Sequence, residues 1–377
     1  MKVAVISWKF ENYGTLLQAF ALNYFLNSCD AIDCDFVYYE LDKNNLDIPF
    51  RFWSIETPKK IYNKIFKHKI ISEKKKNAID IQKQACAVFF ERIKHTDLFT
   101  KKDLSLLNSQ YEAFICGSDQ IWNPYYFDKS YFLDFVNSEN KKIAFAPSMG
   151  GCSIPYRLRN TYKRLMSGFN YLSARENEAC ALVSALTGKK CEHIADPTFL
   201  LSAEEWIKAL EVRKDSSKRY ILCYFLTPQP WYLDYVKYYS EINNLEVLCL
   251  KNAESEYCEG FDEFAEIVGG PEDFVAAIAS ASFVITDSFH GTLFSVFFNR
   301  DFVTLQRFNK IGKKSENIRV TSFLNSINLS DRFISSASKF TKQLKPINFD
   351  RVNIYIDNRR TDAIRYLFNA LDREDKK

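Results

Sequence analysis

The chain opens on the apolar run Val3-Ala4-Val5-Ile6, followed by the mostly polar loop from Trp8 to Gly14. From Thr15 the hydrophobic positions change spacing: Leu16, Leu17, Phe20, Tyr24 and Phe25 keep helical intervals. Asp35-Phe36-Val37-Tyr38-Tyr39 then reads as a second strand, completing a βα unit. The same alternation recurs down the chain. Strand-like runs appear at 112–116, 142–146, 171–173, 220–226, 245–250, 283–286 and 302–305. Helical spacing occupies 157–166, the segment from Glu176 to Leu186, 231–239, and the stretch from Pro271 to about Ala281. Ser202 with Glu205 three residues on marks a capped helix start, and Pro271 sits at a tolerated first-turn position. A final amphipathic helix is expected over Tyr355–Leu371.

Alternating strands and helices in two series, with a break over 196–218, predict an α/β protein of two layers with mainly parallel sheets. We place an N-terminal α/β domain at 1–200 and a C-terminal one at 201–377, whose last helix could pack back on the first domain. A basic helical insertion is expected at about 58–100. Within 58–76, Ile61, Ile65, Ile70 and Ile71 alternate with Lys59, Lys60, Lys64, Lys67, Lys69 and the run Lys74-Lys75-Lys76. The plain reading is a solvated helix packed by one face, and the sharper one is peripheral contact with an anionic membrane surface.

Composition narrows the classes. With 377 residues, 47% hydrophobic and 26% charged, the chain is globular and large enough for two cores. A formal net charge of +4 gives no reason to expect nucleic acid. Ten cysteines include no CxxC pair, which fits a reducing compartment. Met1-Lys2 leads straight into a strand, and no apolar run approaches the ~18 residues of a spanning helix. A cytoplasmic protein is expected, with the inner face of the cell membrane as the place of any peripheral contact.

Five polar clusters each follow a strand directly: Asn12-Tyr13-Gly14, Gly117-Ser118-Asp119, Ser148-Met149-Gly150, Arg175-Glu176 and Asp287-Ser288-Phe289-His290. In open α/β sheets ligands bind at the carboxyl ends of strands, so these loops are expected to line one interdomain cleft. Each alone has a bland explanation. Asn12 can be a helix cap, Gly-Ser-Asp a turn, Arg175 a partner for Glu176, and His290, one of only four histidines, a structural side chain. Together they offer a guanidinium fork for phosphate or carboxylate, a titrating imidazole and hydroxyl-orienting groups. That set suits transfer from an anionic donor to a polyhydroxylated acceptor. There is no HExxH, Cys/His cluster, P-loop or three-glycine dinucleotide fingerprint. Neither a metal nor a cofactor is expected.

The sequence resembles the polysaccharide pyruvyl transferases from residue 3 to about 325. The resemblance rests on Asn12-Tyr13-Gly14-Thr15-Leu16-Leu17-Gln18-Ala19, Gly117-Ser118-Asp119-Gln120-Ile121-Trp122-Asn123, Ser173-Ala174-Arg175-Glu176 and Asp196-Pro197-Thr198. It continues in Gly270-Pro271-Glu272-Asp273-Phe274 and Thr286-Asp287-Ser288-Phe289-His290-Gly291-Thr292. The segment Ala146-Pro147-Ser148-Met149-Gly150 departs from the family's Ala-Ser-Phe-Gly-like form at Pro147 and Met149, which bears on the shape of that loop.

The resemblance implies a glycosyltransferase-B-like pair of Rossmann-like domains facing across a cleft. It also implies transfer of pyruvate from phosphoenolpyruvate to two hydroxyls of a sugar in a surface-polysaccharide precursor (capsule or exopolysaccharide), giving a cyclic ketal. On that basis Arg175 would bind the donor's phosphate or carboxylate. His290 would act in acid/base chemistry or hold the leaving phosphate, and Asp119 would orient or deprotonate an acceptor hydroxyl. Asn12, Gly14, Ser118, Gln120, Ser288 and Thr292 would line the substrates. The acceptor glycan is free or lipid-linked, and in the latter case the basic segment 58–76 gains a purpose. Two rivals are a nucleotide-sugar-dependent glycosyltransferase of the same fold and a non-catalytic glycan-binding relative.

Overall fold

A computed structural model describes residues 1–39, 73–151, 153–215, 219–251, 260–307, 317–336 and 344–372. The basic stretch up to residue 72 therefore lies outside the described residues. Its C-terminal continuation is the helix α2, Glu73–Phe90.

The first sheet is wholly parallel, in the order β2 (Asp33–Phe36), β1 (Lys2–Ile6), β3 (Ala113–Cys116), β4 (Lys141–Ala144). Its inner strands carry apolar residues on both faces, as a sheet covered on both sides requires. A parallel bridge from Ile143 to Tyr171 carries the layer on to the short parallel pair β5 (Ser173–Ala174) and β6 (Glu192–His193). The second sheet, also parallel throughout, runs β12 (Phe333–Ile334), β11 (Asp301–Leu305), β10 (Phe283–Thr286), β7 (Tyr220–Tyr224), β8 (Glu246–Leu250), β9 (Ala265–Ile267).

Two boundaries differ from the sequence reading. Strand β2 begins and ends earlier than 35–39, its register against β1 running from Lys2 opposite Asp33 to Val5 opposite Phe36. Tyr38 and Tyr39 instead meet the chain after α2, with Phe99 N donating to Tyr38 O at 2.8 Å. The last helix starts a turn and a half sooner, at Phe349, with Asn348 accepting from Arg351 N.

Each sheet has a switch point, where strands adjacent in space lead the chain in opposite directions across the sheet. In the first it lies between β1 and β3, and in the second between β7 and β10. Crevices at the carboxyl ends of such strands are where open α/β sheets bind ligands.

Helix α1, Tyr13–Ser28, joins the two layers. It is apolar on nearly every side, with Ala19, Ala21, Leu22 and Leu26 as well as Leu16, Leu17 and Phe20 buried, so it needs cover all round. One side packs on the first sheet. Another meets Trp206 of α5 (the eight-residue Ala203–Leu210, following α3 at Arg159–Ser167 and α4 at Asn177–Thr187), 6.0 Å from Phe20 between ring centroids. At its start, Tyr13 stacks against Tyr224 and Phe274 and donates its hydroxyl to the carbonyls of Lys251 and Gly269, each at 2.9 Å. Phe274 lies on α7, Pro271–Ser280, which follows α6, Pro230–Asn243. One hydrophobic core thus runs from β1 through α1 into the second layer.

The final helix, α10 (Phe349–Ala370, after α8 at Phe289–Phe297 and α9 at Asn317–Ser326), returns to the first layer. Tyr366 donates to Ala144 O at 2.8 Å, Arg359 to His193 O at 2.7 Å and Arg360 to Phe199 O at 3.0 Å.

Candidate active site

The loops after β1 and β3 meet at the first switch point. Asn12 caps α1 by accepting from Gly14 N at 3.0 Å. Thr15, in the same turn, donates to Asp119 Oδ2 at 2.6 Å, while Gln120 N donates to Asp119 Oδ1 at 2.8 Å. Asp119 has φ 71°, an uncommon left-handed conformation that turns the chain sharply after β3. The Gln120 Oε1 accepts from Asn123 Nδ2 at 2.9 Å and sits so close to Gly150 that a Cβ there would lie 2.2 Å from it. Gly150 also has φ +62°, so the departed loop after β4 still depends on glycine at this point. Ser148 in that loop donates to Glu176 Oε1 and accepts from Gly150 N.

At the second switch point Asp287 closes the gap between β10 and β7. Its carboxylate accepts from Leu226 N at 2.6 Å and Thr227 N at 2.9 Å. Burial pushes this carboxyl up to about 6, against the opposing pull of Arg307 and the backbone donors. Ser288 caps α8 by accepting from Gly291 N, and Thr292 is bonded to Ser288 O and to the Thr304 hydroxyl. Ser118 is likewise fully buried and donates to Ala146 O. The hydroxyls of Ser118 and Thr292 are therefore engaged within the fold rather than presented to the cleft, because small hydroxyls at buried strand ends must satisfy nearby backbone carbonyls.

The two rims come together on Asp196, in the turn before a short 3₁₀ helix at Pro197–Leu200. Arg175 Nη1 donates to Asp196 Oδ2 at 2.6 Å, and His290 Nε2 lies 3.7 Å from the same oxygen. The other oxygen, Oδ1, accepts from Thr198 N and Thr198 Oγ1. Burial alone would raise the Asp196 carboxyl, but the contact with His290 and the charge of Arg175 outweigh it and hold the group well below the usual carboxylate range. Burial likewise works against the Arg175 charge, yet Asp196, Glu176 and Asp119 together hold its proton more firmly than usual. Arg175 Nε is 3.7 Å from Glu176 Oε1, and its guanidinium lies 5.2 Å from the Phe289 ring centroid.

The His290 ring rests on α1. A Cβ at Gly14 would fall 2.0 Å from His290 Nδ1, so only glycine allows this approach between the two layers. Arg175, His290, Asn12, Gly14 and Asp119 thus occupy one region, with Gln120 beside Asp119. Asp196 and Glu176 are the members that the sequence-based site residues did not include.

Four buried polar atoms here have no hydrogen-bond partner: Arg175 Nε, Arg175 Nη2, Glu176 Oε2 and His290 Nε2. An unmet buried donor costs about 1–3 kcal/mol, and more when charged, so a cluster of them is expected where a ligand supplies the missing partners. Among the described residues there is no group of three or more His, Cys, Asp or Glu side chains placed to hold a metal ion, and no helix long and apolar enough to cross a membrane.

Two parallel α/β layers with their switch-point crevices facing each other make a glycosyltransferase-B-like fold. UDP-GlcNAc 2-epimerase from Methanocaldococcus jannaschii shares it, with a TM-score of 0.51 at 10% identity over 95% of this chain and 100% of that one. A further UDP-N-acetylglucosamine 2-epimerase superposes with a TM-score of 0.50 at 11% identity, covering 100% of this chain and 97% of the other. At such identities the likeness is one of fold. No curated protein matches the sequence. The family description "Polysaccharide pyruvyl transferase" matches residues 12–307, and the chain belongs to that transferase family.

Proposed function

We propose that the protein transfers pyruvate from phosphoenolpyruvate to two hydroxyls of a sugar in a surface-polysaccharide precursor, releasing phosphate and forming a cyclic ketal. The observation that carries this reading is the cluster of unmet buried polar atoms on Arg175, Glu176 and His290, aligned on Asp196 where the two switch points face each other.

A proton is added to the methylene carbon of the enol, and positive charge develops on the neighbouring carbon. An acceptor hydroxyl attacks that carbon and loses its proton. The carbon–oxygen bond to phosphate then breaks, and the second hydroxyl closes the ring, its proton leaving with the phosphate. The donor contributes the methylene that becomes methyl, so no oxidant, metal or cofactor is needed for the balance.

Arg175 Nε and Nη2 form one edge of a guanidinium fork, the geometry that carboxylate or phosphate accepts bidentately. His290, placed by Asp196 and Gly14, is the proton carrier or the holder of the leaving phosphate. Glu176, bridged to Ser148, is the best-placed carboxylate for an acceptor hydroxyl, because both Asp119 oxygens are already occupied. Asp119 keeps the role of shaping the acceptor loop. A lipid-linked acceptor at the inner face of the membrane would give the basic segment 58–76 its purpose. The test is phosphate release from phosphoenolpyruvate with an oligosaccharide acceptor. Near-normal turnover in both His290→Ala and Arg175→Ala would falsify the assignment, and saturable binding of a nucleotide sugar with no pyruvate transfer would favour the glycosyltransferase rival.

A further inference from the structure

Resting on that reading, the acceptor side of the site carries an aromatic surface that the transfer step does not use. Tyr125 and Tyr126 occupy a short 3₁₀ turn, Pro124–Tyr126, in the loop after β3, and they are 62% and 43% exposed. The Tyr126 ring stands edge-on to buried Trp8, from the loop after β1, at 5.3 Å between centroids, and Phe10 packs on Trp8 at 5.0 Å. Large aromatic side chains are normally core or interface material, so neighbouring exposed ones at the rim of a crevice mark a contact surface.

A run of printed contacts fixes this turn to the acceptor loop. Buried Asn123 accepts from Tyr125 N at 3.0 Å and donates to Gln120 Oε1 at 2.9 Å. Gly150 lies against both Gln120 and Asn123, and its N–H donates to Ser148 Oγ, whose own hydroxyl donates to Glu176 Oε1. The tyrosines thus stand on the loops that hold Glu176, the carboxylate assigned above to an acceptor hydroxyl. The charged residues of the β1 loop are committed elsewhere: Lys9 Nζ lies 3.1 Å from the Tyr38 hydroxyl and 4.9 Å from the Phe90 centroid, and Glu11 pairs with Lys83 at 3.8 Å. A neutral sugar fits such a surface better than an anion does. The apolar C–H face of a pyranose lies flat on an aromatic ring, while a phenol oxygen bonds the hydroxyls at its edge.

We propose that Tyr125 and Tyr126, with Tyr126 buttressed by Trp8, form an outer subsite for sugar units next to the one that receives pyruvate. The acceptor is then an oligosaccharide, and a single sugar is a poor substrate.

Steady-state phosphate release on the full-length protein at saturating phosphoenolpyruvate, comparing gluco-, galacto- and mannotrioses with the methyl glycosides of the same sugars, tests the subsite. Wild type should favour a trisaccharide over its methyl glycoside by roughly 10- to 100-fold in kcat/KM, the worth of two aromatic contacts. Tyr125→Ala should cut that ratio about 3- to 10-fold, and Tyr125→Ala/Tyr126→Ala should bring it to about one. Tyr125→Phe, which keeps the ring face, should hold the ratio within about threefold of wild type, and thermal melting confirms that each variant is folded. A wild type with no preference for length, or a folded double variant that keeps the preference, overturns the subsite and leaves the donor assignment standing. Protein that releases no phosphate from phosphoenolpyruvate with any of these glycans overturns the transfer reading. Saturation-transfer NMR with the same trisaccharides then reads the subsite on its own: signal lost in the double variant supports it, and signal absent from wild type or undiminished in the variant overturns it.

Discussion

Replacing Gly14 with alanine puts one methyl group between the two halves of the site. The added Cβ would lie 2.0 Å from His290 Nδ1 and 2.5 Å from the next two ring atoms, where ordinary contact begins at 3.4 Å. The imidazole cannot absorb this in place, since its side chain is only 13% exposed and Nε2 already faces Asp196. Either the ring leaves its rotamer, at about 0.5–1.5 kcal/mol, or α1 and α8 part by more than an ångström. Alanine in a helix is worth roughly 0.5–1 kcal/mol over glycine, which offsets much of that cost. Stability should therefore change by no more than about 1 kcal/mol in urea denaturation, whereas a catalytic group displaced by about 1 Å loses on the order of 100-fold in rate. The double variant Gly14→Ala/His290→Ala isolates the cause: once the ring is gone, the methyl should cost nothing further in turnover. Gly14→Ala retaining turnover within about threefold of wild type would refute the placement of His290 against α1.

Asp196→Asn keeps the Thr198 contacts but leaves the Arg175 charge buried without its main partner, so it should lose about 3–5 kcal/mol in chemical denaturation and most of its turnover. The Asp196 carboxyl is depressed in the fold, so its stabilisation is present above the unfolded value of about 4 and disappears as pH falls below it; Asp196→Asn should flatten that acid limb. Asp287 has the opposite sign. With its carboxyl raised from 3.8 to about 6, the contribution is greatest below about pH 4 and is lost as pH rises through 6. That amounts to about 3 kcal/mol at about 1.4 kcal/mol per pH unit, and denaturation of Asp287→Asn across this range should lack the slope. Thr15→Val removes the donor to Asp119 Oδ2, a buried bond worth about 1–3 kcal/mol, and should raise acceptor KM through the loosened loop more than donor KM.

The βα alternation was legible because inner parallel strands are covered on both faces, which leaves runs such as Phe283-Val284-Ile285 and Ala113–Cys116 uninterrupted by polar residues. The loops at their carboxyl ends stood out by contrast. Asp196 was harder to read. An Asp-Pro-Thr triplet looks like a break in the pattern, and its carboxylate gains meaning only when Arg175, 21 residues earlier, and His290 from the other layer reach the same oxygen. Glu176 was hidden for a similar reason, since beside Arg175 it reads as a local partner, and its bridge to Ser148 depends on β4 lying next to β5. The union of the two layers was only half visible in α1. Leu16, Leu17 and Phe20 mark one buried side, while Ala19 and Ala21 are small enough to pass as neutral and in fact line the contacts on the others. Ser118 and Thr292 carry the residue types of a hydroxyl-rich site, yet burial commits both to carbonyls of the fold.

The central claim is that Arg175, Asp196 and His290 form a site for phosphoenolpyruvate and a sugar acceptor. Mass spectrometry of an oligosaccharide panel incubated with the protein and phosphoenolpyruvate tests it most directly. The expected result is a mass gain equal to pyruvate less one water on at least one glycan, with phosphate released in equal amount and both lost in Arg175→Ala and His290→Ala. Phosphoenolpyruvate left intact across the panel, or product formed undiminished by both variants, would contradict it.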